Sequence, residues 1–133
     1  MKKFKLTSEF IVDISGVKLF RIKALIEFGN VKAGDLGGYI EKEENLSHMG
    51  DAWVSGDARV YGDKDYAYAH GFGSCNRTTT FFRLKDGDVG VRCGCFYGTL
   101  AQFRDKVCET HGETKKAQEY LMLADLMEIR FKN

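Results

Sequence analysis

Four side chains in the C-terminal half have the types and spacings from which metal sites are made. Cys93 and Cys95 form a C-x-C pair, and Cys108 and His111, three residues apart, share one face of a predicted helix. Thiolate sulfur and imidazole nitrogen together suit tetrahedral zinc. Against this, C-x-C is tighter than the usual structural knuckle. It also falls in a predicted strand, where alternate residues point to one side and both thiols face the core. The reading adopted is buried free thiols, with no metal and no other cofactor. A nucleophilic cysteine needs an activating base or a helix N-terminus. Cys95 lies four residues before a predicted cap at Thr99, but no spacing links His48 or His70 to a cysteine. No serine-histidine-aspartate set or paired carboxylates stand out either, so the sequence assigns no catalytic residue.

A second constellation suits binding. In GFGSCNRTTTFFRLK, residues Ser74, Asn76, Arg77 and Thr79 sit near a glycine-flanked turn and offer hydroxyls, an amide and a guanidinium to an anion. Arg83, Lys85 and Arg92 extend the same predicted basic face. Neither G-x-x-x-x-G-K-[ST] nor G-x-G-x-x-G occurs there, so no nucleotide fold follows by motif. A third set is acidic: Asp51, Asp57, Asp63 and Asp65 recur through GDAWVSGDARVYGDKD and predict a negative surface.

Charge is polarised along the chain. Residues 1–23 carry six basic and two acidic side chains, residues 27–65 four and nine, and residues 76–107 six and three. The formal net charge is only +1, which argues against a protein built chiefly to neutralise a phosphate backbone. At 133 residues the chain is about one domain's worth. No run approaches the ~18 apolar residues of a membrane span, and MKKFKLTSEFIVDISG lacks an unbroken apolar signal core. The expectation is an unprocessed protein of the cytoplasm that engages no membrane.

These residues need elements to hold them. FKLTSEFIVDISGVKLFRIKAL, with interleaved polar positions around Gly16, predicts a β-hairpin in which Phe20, Ile22 and Ala24 share a face. The glycine-rich, charged stretch that follows predicts loops, with a tight corner at Gly37-Gly38. The phrase Gly-Asp-Ala-x-Val-x is then spoken twice, setting Leu46, Ala52 and Ala58 in one inward row and Val54 and Val60 in another. The row fails at Lys64 and Tyr66. Hexads of small and β-branched residues stack as parallel β-helices, and the resemblance to left-handed β-helices implies that three hexads make about one turn. From Thr78 the period becomes two. Asp86-Gly87 predicts a two-residue hairpin turn that sets Lys85 opposite Asp88 and pairs Phe82 with Val91 and Thr80 with Cys93. In that register Phe81, Arg83 and Arg92 lie on the exposed face. Thr99 and Gln102 form a capping box, and Leu100, Phe103, Val107 and His111 stripe the helix that follows. Ala117, Tyr120, Leu121, Ala124 and Met127 stripe a second.

The fold class expected is therefore α+β. An N-terminal β-hairpin and a short, roughly one-turn left-handed β-helix stub occupy residues 1–70, and residues 71–133 form a β-hairpin packed on two C-terminal helices.

LFRIKALIEFGNVKAGDLGGYIEKEENLSHMGDAWVSGDARVYGD resembles the N-terminal part of hexapeptide-repeat proteins of bacteriophages and prophages. Those proteins often carry polymer-forming or transferase-like labels from the repeat alone. The segment from Thr78 to Phe131 is similar to a C-terminal domain attached to many of them. The resemblance implies a phage or mobile-element protein acting in the bacterial host. With no catalytic set, the expected function is non-catalytic, stoichiometric inhibition of a bacterial defence protein or effector complex, of the anti-CRISPR type. A sponge for a small nucleotide signal, clamped by Arg77, Arg83 and Arg92, is an alternative. Hexapeptide-repeat acyl transfer is a second, although one coil offers little wall for such a cleft. A homo-oligomer through an open coil end is compatible with each.

Overall fold

The hairpin signal around Gly16 becomes the first two strands of the computed structural model, which describes residues 2–13, 15–46, 48, 52–56, 58–61, 65–70, 78–84, 87–93 and 96–132. Strands β1 (Phe4–Val12) and β2 (Lys18–Ala24) run antiparallel. Asp13 Oδ1 closes their turn by accepting from the backbone N–H groups of Ser15 and Val17, both at 2.9 Å, while Gly16 takes φ +89°. Ile22 and Ala24 are buried as expected, and Phe20 is half-buried against Phe10.

Gly37-Gly38 is not a corner. Both glycines lie inside a third strand, β3 (Leu36–Ile40), which pairs with β2 on one side and, in parallel, with the two-residue β4 (Arg59–Val60) on the other. Close approach explains the glycines. A Cβ on Gly38 would stand 2.7 Å from that of Ala58, and one on Gly37 would stand 2.7 Å from Ile22 Cγ1 and from the Trp53 ring.

The inward rows read from the hexads are buried without exception: Leu46, Ala52, Val54, Ala58 and Val60 join Phe4, Ile22, Phe28, Val31 and Ile40 around Trp53. Burial here does not make a β-helix. The described residues of 46–69 form strand only at Arg59–Val60 and at β5 (Tyr66–His70), and β5 belongs to a different sheet. These residues do not describe a left-handed β-helix turn. The small side chains of the phrase serve instead to let this segment lie against the glycines of β3.

The second sheet has the order β5, β6 (Thr78–Arg83), β7 (Val89–Cys93), β8 (Phe96–Thr99), all antiparallel. Its central hairpin is shifted one residue from the expected register. Leu84 N–H donates to Asp88 O at 2.8 Å, Gly87 takes φ +86°, and Phe81 pairs with Val91, Phe82 with Gly90 and Thr79 with Cys93. The loop thus closes at Leu84 and Asp88, one residue longer than a two-residue turn. A one-residue shift turns β6 over relative to β7, so that its alternate side chains change faces while Val89 and Val91 keep theirs. Phe81 packs with the helices, Phe82 packs into the core around Trp53, and both are fully buried. Among the described residues the cationic face expected for this hairpin is not exposed: Arg83 and Arg92 are half-buried, and the sheet packs on both sides, Phe82 in one core and Phe81 in the other.

Helix α1 (Leu100–His111) starts on the predicted Thr99–Gln102 capping box and ends at Gly112, φ +59°. Helix α2 (Lys115–Arg130) starts on Thr114, whose hydroxyl accepts from Ala117 N–H. Leu100, Phe103 and Val107 of α1 and Ala117, Tyr120, Ala124 and Met127 of α2 bury against Phe81, Val89 and Val91. The protein is thus α+β, with a β-hairpin packed on two C-terminal helices. Among the described residues no helix is long and apolar enough to cross a membrane.

Candidate functional site

Helix α2 has more apolar residues than one buried stripe can use. With Ala117, Tyr120, Ala124 and Met127 turned inward, Met122, Leu126 and Ile129 are left on the outer side at i, i+4, i+7. They are 72%, 54% and 73% exposed. Such a line of large apolar side chains along one helix face marks an interaction surface more often than a solvated one.

The face is held firmly. Arg104 of α1 donates from Nη1 to Glu128 Oε1 at 2.8 Å and from Nη2 to Asp125 Oδ1 at 2.9 Å, tying the flank of α2 to its neighbour. The Glu128 bond first, and then that of Asp125, holds the guanidinium pKa above its ordinary value. At the helix end Arg130 Nη2 donates to Tyr66 O at 3.4 Å, joining α2 to β5.

Of the residues assigned to anion binding, the described ones, Thr79, Arg83 and Arg92, do not gather into one exposed site. Ser74, Asn76, Arg77 and Lys85 lie outside the described residues. Thr79 is buried, its hydroxyl 3.3 Å from Cys93 Sγ. Arg83 lies on the helix side of the sheet, bonded to Asp65 and to Phe131 O. Arg92 does not lie over Phe81; it pairs with Thr80 across the strands, and its Nη1 donates to Ser55 Oγ at 3.1 Å. The register shift is the reason for the placement of Thr79, Arg83 and Arg92.

The acidic set fares similarly. Asp51, Asp57 and Asp63 lie outside the described residues, and Asp65 is buried, accepting from Tyr61 N–H at 2.9 Å as well as from Arg83. It is a structural residue and not part of an exposed negative surface.

Of the thiol and imidazole set, Cys95 lies outside the described residues and Cys108 is exposed. Cys93 lies 3.6 Å from Tyr120 OH, and the His111 ring sits 5.7 Å from that of Tyr120. Among the described residues no three metal-binding side chains gather.

A hollow of about 390 Å³ opens between the start of α1, the β6–β7 turn and the chain end, with Val89, Leu100 and Phe131 among its lining. Its arginine, Arg104, is the one already bonded to Asp125 and Glu128. No protein-family model matches the chain, and no curated protein or solved structure does either.

The α2 face had a signal in the sequence: LMLADLMEI continues the apolar pattern through positions that an amphipathic surface helix would give to charge. Counting the surplus after one stripe is assigned finds Met122, Leu126 and Ile129.

Proposed function

We propose that the protein acts non-catalytically, by stoichiometric contact with another protein, and that Met122, Leu126 and Ile129 of α2 make that contact. The supporting observation is their exposure along a helix pinned at its flank and at its end. A convex helix face offers area without concavity, so it suits an apolar groove in a partner protein rather than a small molecule. Three side chains at successive turns are the anchors that a groove reads. The resemblance to phage and prophage proteins supplies the setting: the partner is a component of a bacterial defence system, such as a CRISPR effector, and occupation of its groove blocks it.

The test is a phage-plating assay in hosts carrying defined defence systems, with and without the expressed protein. The wild type should restore plating against one system and co-purify with one of its components at fixed stoichiometry. A Met122→Glu/Leu126→Lys/Ile129→Glu variant, shown to be folded by circular dichroism, should lose both. Full protection by that variant would remove the α2 face from the mechanism. Failure of the wild type against every system tried, with no stable partner, would remove the defence reading itself.

The nucleotide-sponge reading, with Arg77, Arg83 and Arg92 as clamps, gains no support from the described residues: Arg77 lies outside them, and the guanidiniums of Arg83 and Arg92 are engaged within the fold. No observation favours acyl transfer.

A further inference from the structure

On the first sheet, three neighbouring strands place Arg21, Tyr39 and Arg59 in one cross-strand row: Arg21 is paired with Tyr39, and Tyr39 with Arg59. Both guanidiniums lie over the tyrosine ring, Arg21 at 4.6 Å and Arg59 at 5.6 Å from its centroid. They are therefore no farther apart than those two distances added together. Arg21 is engaged within the fold through its Nη2 and an ion pair, although its Nε makes no hydrogen bond. Its Nη2 donates to Tyr39 OH at 2.7 Å, the Tyr39 hydroxyl donates to Glu9 Oε2 at 3.1 Å, and the same carboxylate oxygen lies 3.1 Å from Arg21 Nε.

The Nε of Arg59, like that of Arg21, is buried, and none of the described residues accepts a hydrogen bond from it. A buried donor left unmade is costly, and one on a guanidinium is costlier still, so such a group asks for a ligand. Neighbouring charge points the same way. Lys23, two residues along β2 from Arg21 and on the same face, is directly opposite Lys5 of β1. Like charges set opposite each other across strands oppose pairing, an arrangement that an arriving anion would relieve. Glu9, on the exposed side of the row, is the carboxylate that touches it.

We propose that Arg21 and Arg59, carried on either side of Tyr39, form a binding site for the phosphate group of a phosphorylated ligand. Arginine presents a planar fork of donors that matches phosphate oxygens two at a time, and a tetrahedral oxyanion can accept from two such forks at once. Arg59 supplies an Nε–H that no described residue accepts. Arg21 supplies a second fork when Glu9 gives way, and Lys5 and Lys23 add positive potential along the strands. Free phosphorylated metabolites and the backbone of a nucleic acid present the same group, and the experiment separates them.

The measurement is a titration of the ¹⁵N-labelled full chain, following the Arg Nε–Hε resonances, with inorganic pyrophosphate in one arm and a short single-stranded oligonucleotide in the other. Saturable shifts of the Arg59 and Arg21 signals are expected in at least one arm. Pyrophosphate alone indicates a metabolite, and the oligonucleotide alone indicates nucleic acid. Arg59→Lys, which keeps the charge but loses the fork, should weaken binding at least tenfold with an unchanged amide spectrum. Glu9→Gln, which removes the competing carboxylate, should tighten it severalfold, a gain that a purely structural role for the row does not give. No saturable shift in either arm, or equal affinity in Arg59→Lys, overturns the assignment.

Discussion

Arg83 Nε donates to Asp65 Oδ1 at 3.0 Å, and around this pair three separate pieces of the chain are fastened. Asp65 also accepts from Tyr61 N–H beyond the end of β4, while Arg83 reaches Phe131 O at the end of α2 and lies over the Phe131 ring. Removing one member of a buried ion pair strands the other, at a typical cost of about 3–5 kcal/mol. Arg83 retains some exposure, so Asp65→Ala should cost about 3 kcal/mol in urea denaturation. The double variant Asp65→Leu/Arg83→Met should be less damaged than the two single losses added. Strict additivity would mean that the pair is not coupled.

Met122 and Met127 sit five residues apart on α2 and should answer differently to truncation. Met127 is buried against the strands, so Met127→Ala should cost about 2–5 kcal/mol. Met122 faces out, and Met122→Ser should change stability by no more than about 0.5 kcal/mol. Thermal melts of the two variants decide it. A large loss at Met122 would mean that the stripe is already covered within the folded protein.

Much of this arrangement was legible, and what was not has a physical cause. The capping box at Thr99, both helix stripes and the buried rows from Leu46 to Val60 are local patterns, fixed by spacing along one segment. The β6–β7 register was not, because an Asp-Gly pair serves a three-residue loop as well as a two-residue turn. What decides between them here is a second core on the far face, which takes Phe82 as the helices take Phe81. That core is assembled from residues that β6 does not neighbour in sequence. The pairing of Asp65 with Arg83 and the row Arg21, Tyr39, Arg59 were hidden for the same reason: each joins strands whose adjacency only the sheet order reveals. Gly37-Gly38 was misread because glycine at a turn and glycine under a close contact look alike in sequence.

That close contact can be tested. A Cβ on Gly38 would stand 2.7 Å from the Ala58 Cβ, which has no flexible end to move aside. Gly38→Ala should therefore destabilise by about 1–3 kcal/mol through overpacking, against the usual preference for alanine over glycine within a strand. The paired variant Gly38→Ala/Ala58→Gly should recover much of the loss. A neutral Gly38→Ala would place β3 and the Ala58 segment farther apart than described.

Tyr61 and Asp13 predict opposite limbs of a pH profile. Hydrogen bonds, first from the Tyr61 hydroxyl and then from Ser15 and the Val17 backbone, lower the Asp13 carboxyl from 3.8 to about 2. Burial, and then the bond to Asp13, pushes Tyr61 from 10.0 up to about 12. The Asp13 contribution is present above its unfolded value and is lost as pH falls from about 3.8 through about 2. The Tyr61 contribution is complete below pH 10 and is lost as pH rises through about 12. In an Asp13→Asn variant, a tyrosine titration should find Tyr61 lower than in the wild type yet still above 10, because burial remains. An unchanged Tyr61 would mean that the hydroxyl does not bond to Asp13.

His48 fixes the start of β1, and its proton position follows from its neighbours. Lys3 N–H donates to Nδ1 at 3.0 Å, so that nitrogen must carry a lone pair, and the ring proton sits on Nε2, 3.0 Å from Glu43 Oε1. Glu43 is suited to accept it: the hydrogen bond from Lys2, followed by that of His48, keeps its carboxyl below the ordinary range. Stacking on Phe4 at 4.3 Å holds the ring in this orientation. Long-range ¹H–¹⁵N correlation at neutral pH should therefore show the Nε2–H tautomer. In His48→Ala the Lys3 amide, deprived of its acceptor, should exchange with solvent at least tenfold faster than in the wild type. An Nδ1–H tautomer would mean that the Lys3 amide has another partner and that the ring is turned over. Exchange at Lys3 would then be indifferent to the substitution.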